Sequence, residues 1–202
     1  MLTWRLLIVP FVLGCSNRDE HPSPSIRIAI LPLGTVTKGE IGAVKEGVTR
    51  NYWVAIHVLP RESLPKEAYY PPRSRYRAER LLERLDLVKG DYDKVIGVTE
   101  RDISTTYRGH PDWGIMGLGR LGGKSCVVST FRLKKRGRIS PSERLGRISA
   151  HELGHTFGLE HCGDRSCVMV DGGGKIKNLD ATSGDLCAKC RILAKPSGVA
   201  KR

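Results

Sequence analysis

The stretch from Ser140 to His161 constrains this chain more than any other. Ser140-Pro141-Ser142-Glu143 combines a capping box with a proline at the first helical position, so a helix is expected to start here. Leu145, Leu153 and Phe157, at i, i+8 and i+12, supply its packing face. Along it runs His151-Glu152-Leu153-Gly154-His155. Histidines four apart project from one side of a helix, close enough for both rings to ligate one metal ion. Glu152 is one step round from His151, where a carboxylate can take a proton from water on that metal. Gly158 stands where the helix should end, since glycine accepts the left-handed backbone that turns a chain sharply. That turn can swing His161 back as a third ligand. Three neutral imidazoles with an open fourth position describe a catalytic zinc site, not a closed structural one. A lone helical histidine is usually structural, but these five letters at this spacing arise from the chain's own composition only about 3 times in 100,000. His21, His57 and His110 have no such context and read as surface or satisfied core residues.

Cysteines extend the pattern. Cys162 follows His161 directly, then come Cys167, Cys187 and Cys190. Thiolates arranged C-x4-C and C-x2-C suit a tetrahedral structural zinc. The full string H-E-x-x-H-x-x-G-x-x-H-C-x4-C-x-M-x17-C-x2-C carries the metzincin signature and, at every fixed position across residues 151–190, resembles the archaemetzincin family. Ile28 to Leu33, the segment around Tyr69 to Tyr76, and Val127-Val128-Ser129 are similar more weakly. The resemblance implies a metzincin-like α/β (α+β) fold: a mixed twisted sheet, an active-site helix and a small zinc-stapled C-terminal subdomain. It implies two Zn2+ per chain, a catalytic ion on His151, His155 and His161 and a structural one on Cys162, Cys167, Cys187 and Cys190. It makes Glu152 the general base of peptide-bond hydrolysis and puts Met169 in a turn beneath the metal, as an apolar floor. By the same analogy an extended peptide would lie along an exposed strand edge, expected at residues 125–132.

The N-terminus departs from that family. Arg5 precedes the apolar run Leu6 to Leu13, too short to span a bilayer, and Val12-Leu13-Gly14-Cys15 resembles a bacterial lipobox. Residues 1–14 are expected to be a lipoprotein signal peptide, Cys15 the lipidated first residue, and residues 15–25 a polar, proline-containing tether. The expected destination is the bacterial envelope, with the outer membrane as a corollary because Ser16, not an aspartate, follows the cysteine. Export would put four thiols where disulfides can form, so Cys162–Cys167 and Cys187–Cys190 bridges stay open beside zinc. Cys126 is the odd thiol, expected as a small buried residue in a strand.

Between these ends, residues 26–158 form the expected catalytic subdomain, 159–195 the C-terminal one, and 196–202 a basic tail. Ile26 to Leu31, Trp53 to Leu59, Val95 to Val98 and Cys126 to Leu133 read as strands. Thr37 to Glu40 has the spacing of a capping box ahead of a helix whose face is Ile41, Val44 and Val48. A second helix carries Ala78, Leu81, Leu82, Leu85 and Val88 on one side. Residues 60–72 read as a proline-rich connection and Gly114 to Gly123 as a loop. Strand and helix alternate, which argues for α/β layers.

Charge is the unusual bulk property, with 34 Lys+Arg against 21 Asp+Glu and a net charge of +13. Such an excess favours anionic neighbours. With aromatic residues at only 6% and no stacking surface evident, nucleic acid is not the expected partner. The expected partners are a peptide or protein substrate and, through the lipidated N-terminus, a membrane, with the chain acting as a monomer. A non-catalytic zinc lipoprotein that binds peptides or envelope components is the alternative, but binding alone has no use for the carboxylate of Glu152.

Overall fold

Hydrophobic alternation in the strands builds two cores on one sheet. The computed structural model describes residues 24–194 other than Lys89, so the signal segment, Cys15, the tether up to residue 23 and the tail lie outside the described residues. In order along the chain come β1 (Arg27–Leu33), α1 (Lys38–Asn51), β2 (Ala55–Val58), β3 (Tyr69–Tyr70), β4 (Arg75–Arg77), α2 (Ala78–Asp86) and β5 (Lys94–Thr99). There follow β6 (Ile103–Tyr107), β7 (His110–Ile115), β8 (Gly117–Gly119), β9 (Ser125–Ser129), α3 (Pro141–Thr156), α4 (Ile176–Ala181) and α5 (Ala188–Ala194).

The main sheet has the order β2-β1-β5-β9-β8. Its first four strands are parallel and β8 joins β9 antiparallel. Ile28, Ile30, Ile96, Val98, Cys126 and Val128 face one layer, the buried sides of α1 and α3. Ala29, Leu31, Val95 and Val127 face the other, where Leu81, Leu82 and Leu85 of α2 cover them. A parallel sheet buried on both faces explains why these strands read as nearly unbroken apolar runs. Among the described residues no helix is long and apolar enough to cross a membrane.

The caps fall where the residues require. Thr37 and Glu40 exchange the reciprocal bonds of a capping box, and Ser140 Oγ accepts from Glu143 N at 3.1 Å ahead of Pro141. Helices α1 and α3 cross backbone to backbone at Gly47, where a Cβ would strike the Gly146 carbonyl.

Two expectations are corrected. The Gly114–Gly123 stretch is not simply a loop, because it contains the end of β7 and all of β8. Residues 125–132 are not a sheet edge, since β9 lies between β5 and β8 and turns into a 3-10 helix at Phe131. The free edge belongs to β8. A second sheet, β3-β4-β6-β7, stands beside the first and begins within the proline-rich connection.

Helix α3 is buried almost throughout and carries charges into the interior. Arg144, fully buried, forks onto Asp180 with contacts of 2.6 and 2.8 Å and donates to the Leu133 carbonyl at 2.8 Å. Arg147 reaches the carbonyls of Leu179 and Thr182. The Arg144 guanidinium holds the Asp180 carboxyl below its usual range. A depressed folded value contributes stability that is complete above the unfolded value, about 3.9, and lost as pH falls through the folded one. Asp180→Ala leaves Arg144 buried without its counter-charge, so urea unfolding at pH 7 is expected to show a loss of about 3–5 kcal/mol. Asp185→Ala, which removes the half-exposed partner of Arg50, is expected to cost under about 1 kcal/mol. Equal losses would show that the buried pair is not special.

Candidate active site

Two turns of α3 and the chain beyond it bring the three histidines together. His151 and His155 share a face of α3, and Gly158 turns the chain at a φ of 85° towards His161. The ring centroids of His161 lie 5.4 Å from His151 and 4.9 Å from His155.

Backbone carbonyls fix the tautomers. His151 Nδ1 is 2.8 Å from the Val168 oxygen and His155 Nδ1 is 2.7 Å from the Leu159 oxygen. A carbonyl can only accept, so each Nδ1 carries the proton and each Nε2 presents a lone pair. Those Nε2 atoms face each other at 3.1 Å. Two ligands on one tetrahedral zinc, at about 2.0–2.1 Å each, stand about 3.3 Å apart. The donor set therefore fits zinc in spacing and in protonation. Burial pushes the His151 imidazole down to about 4, and lowers that of His155, which favours the neutral, ligating form. Asp171 Oδ2 lies 4.0 Å from Nδ1 of His161.

Glu152 is buried beside this cluster, with its carboxyl pushed up to about 8 by burial and opposed by the Gly119 N–H. Strand β8 lies directly on it. A Cβ at Gly117 would sit 2.6 Å from Glu152 Cγ, and one at Gly119 would strike the Glu152 backbone oxygen. Gly117 and Gly119 are two apart, so the face that β8 turns to α3 has no side chain. The i, i+2 spacing was the available signal, hidden by reading the region as a loop.

Met169 is fully buried in a turn, and its Sδ would meet a Cβ at Gly154 at 2.5 Å. It thus packs under the helix between the two histidines. Its carbonyl accepts from Cys162 N at 2.8 Å, so the turn also holds the segment that follows His161.

Cys162, Cys167, Cys187 and Cys190 form a second cluster with no disulfide among them. Cys162 Sγ and Cys187 Sγ are 3.7 Å apart, close to the roughly 3.8 Å expected for two sulfurs on a tetrahedral zinc. Amides point at the sulfurs: Asp164 N donates to Cys162, while Met169 N and Cys187 N donate to Cys167. Donors aimed at sulfur suit thiolates, the form that binds metal. Helix α1 supports this cluster from behind, with Asn51 bonded to Gly184 O and Leu186 N and Arg50 paired with Asp185. Cys126 sits apart, fully buried in β9, where burial raises its thiol.

A cleft of about 750 Å³ opens over the histidines. It is lined by His151, Glu152 and His155, by Gly117 to Gly119 of β8, and by Val168, Val170 and the glycines from Gly172 to Gly174.

Residues 49–195 match the model of Peptidase family M54. Archaemetzincin of Methanopyrus kandleri is 38% identical over 133 residues, 66% of this chain and 73% of that protein. Archaemetzincin of Haloquadratum walsbyi is 33% identical over 178 residues, covering 82% of this chain and 98% of its own length. Among solved structures, the M. kandleri archaemetzincin superposes with a TM-score of 0.73 at 31% identity, over 85% of this chain and 94% of that one. Archaemetzincin of Archaeoglobus fulgidus, complexed with malonate, gives 0.69 at 25% identity, over 83% and 99%. With the fold, the histidine cluster and these likenesses in agreement, the chain belongs to the archaemetzincins, peptidase family M54, and is a zinc metallopeptidase.

Proposed function

We propose that the cleft hydrolyses peptide bonds with zinc held by His151, His155 and His161 and with Glu152 as general base. The observation that carries this reading is the pair of Nε2 lone pairs facing each other beside a buried carboxylate. Zinc, when bound, supplies a Lewis acid that polarises the scissile carbonyl and acidifies water. The chain's own residues do the rest. The free edge of β8 offers backbone donors and acceptors to an extended peptide, which would lie across the face of Glu152. A Glu152 carboxylate oxygen accepts the proton of the attacking water and returns it to the leaving amine nitrogen. Val168 and Val170, which line the cleft, limit competing water.

Glu152→Ala removes the proton acceptor and none of the proposed ligands. Its zinc content is expected to equal that of the wild type while peptide cleavage falls about 10²–10⁴-fold. His151→Ala is expected to lose zinc and activity together. Wild-type rates from Glu152→Ala with zinc fully bound would place the base elsewhere.

We also propose a second, structural zinc on the four cysteines, supported by their spacing and by the amides aimed at the sulfurs. Metal analysis is expected to find two zinc ions per chain, the histidine-bound one leaving first under mild chelation because its site is open. One zinc, with Cys162, Cys167, Cys187 and Cys190 all unreactive to thiol reagents, would put disulfides there instead.

The order of a positive residue, a short apolar run and Val12-Leu13-Gly14-Cys15 supports export and lipidation at Cys15. Cys15→Ala is expected to leave the chain unprocessed or to release it from membranes. Retention in membranes after a high-salt wash would mean that lipid on Cys15 is not the anchor.

A further inference from the structure

The β6–β7 hairpin has two unlike faces, and the cleft continues onto one of them. Tyr107 and Trp113 line the same cleft as the three histidines, together with Ile115. Both rings are substantially exposed, and their centroids lie 5.9 Å apart. The His110 ring is tilted against Trp113, also with centroids 5.9 Å apart, and the Arg108 guanidinium lies 5.2 Å from the Tyr107 ring centroid. Scattered exposed apolar residues need no explanation. These are contiguous, and they extend a cleft that already holds the proposed chemistry.

The opposite face is fixed by charge. Arg75 joins Asp102 and Asp112 at 2.8 Å each, and Arg132 forks onto Asp102 at 2.7 and 2.9 Å. The Arg132 guanidinium fills the place a Cβ would take at Gly114, and Arg77 holds the Pro111 carbonyl. At the tip, Arg108 and Gly109 both have positive φ, 47° and 78°, the requirement of a tight type I′ turn. A register shift between Thr105 and Tyr107 re-aims the strand beside the cleft. The backbone beneath the aromatic face is therefore braced before any ligand arrives, which lowers the entropy lost on binding.

Strand β7 leads into β8 with only Met116 between them, and each is the terminal strand of its sheet. Trp113 is four residues from Gly117, a span of at most about 14 Å. A peptide extended along β8 past Glu152 reaches the aromatic face within a few residues.

We propose that Tyr107 and Trp113 form a specificity shelf that takes an aromatic or large aliphatic side chain of the peptide, a few residues from the bond that is cut. This deepens the peptidase reading and rests on it. His110 and Arg108 flank the two rings.

The test is a positional scan of ten-residue peptides in which one position at a time is Phe or Asp. Wild-type holoenzyme is expected to favour Phe in kcat/KM at one position two to five residues from the cut. Trp113→Ala is expected to reduce that preference by about 2- to 10-fold, mainly through KM, as one aromatic contact allows. Its loss on peptides too short to reach the shelf should be smaller than its loss on the ten-residue ones. A preference at that position that survives both Trp113→Ala and Tyr107→Ala overturns the shelf, as does the absence of any preference there. Binding gives a separate readout: zinc-loaded Glu152→Gln protein with Trp4 and Trp53 changed to Phe leaves Trp113 as the sole indole. Its emission is expected to shift on adding the favoured Phe peptide and not its Asp counterpart. If no peptide is cut by wild type, the peptidase reading fails, while this emission still decides the shelf; equal responses to both peptides overturn it.

Discussion

A helix that carries His151 and His155, the proposed metal ligands, on one face must hide polar groups on the others, and the surroundings of α3 meet that demand. Arg144, Arg147, Ser149, His151 and Glu152 are all buried. Buried charges are tolerated only with partners, and removing one partner is far worse than never having had the pair. Arg144 accordingly draws Asp180 of α4 to the helix, and Arg147 draws the carbonyls that follow. On the ligand face, His151 and His155 take carbonyls from the Met169 turn and from the residue after Gly158. The segment after α3 is thus folded back by hydrogen bonds that α3 itself requires. The same bonds set the tautomers on which metal binding depends.

The local signals in the sequence were strong where a few neighbouring residues decide the outcome. Thr37 with Glu40, Ser140 with Pro141, and Gly158 all mark helix ends where the structure has them, because caps are made by residues three or four apart. His151 and His155, four apart on one helix, meet by the same local geometry, whereas Cys162 and Cys187, 25 positions apart, meet only through the tertiary fold. The second sheet was not legible. Strands β3 and β4 have two and three residues amid prolines and arginines, and they exist only because β6 and β7 pair alongside. Strand β8 was hidden by its glycines, which read as loop and prove to be the absence of side chains where backbone meets Glu152. Which strand is the edge is likewise a matter of pairing order, so the inference from analogy fell on β9, one strand too far in.

Glycine does related work at three points around the helix. Gly47 lets α1 touch α3, Gly154 admits Met169 below it, and Gly117 with Gly119 brings the sheet edge against it. Each removes a side chain so that a particular atom can approach: a carbonyl, a sulfur, a carboxylate. The helix is gripped on several sides, and so has little freedom to change the spacing of the proposed ligands.

The support that α1 gives the cysteine cluster has a consequence for how the molecule is made. Asn51 bonds to Gly184 and Leu186, 133 and 135 positions later. Such contacts close a long loop, raise the contact order and can form only after residues 184–186 have been synthesised. A ribosome delivers α1 well before Cys187 and Cys190. The thiols therefore gain this support late, and the state that precedes it is the one in which oxidation competes with the proposed metal.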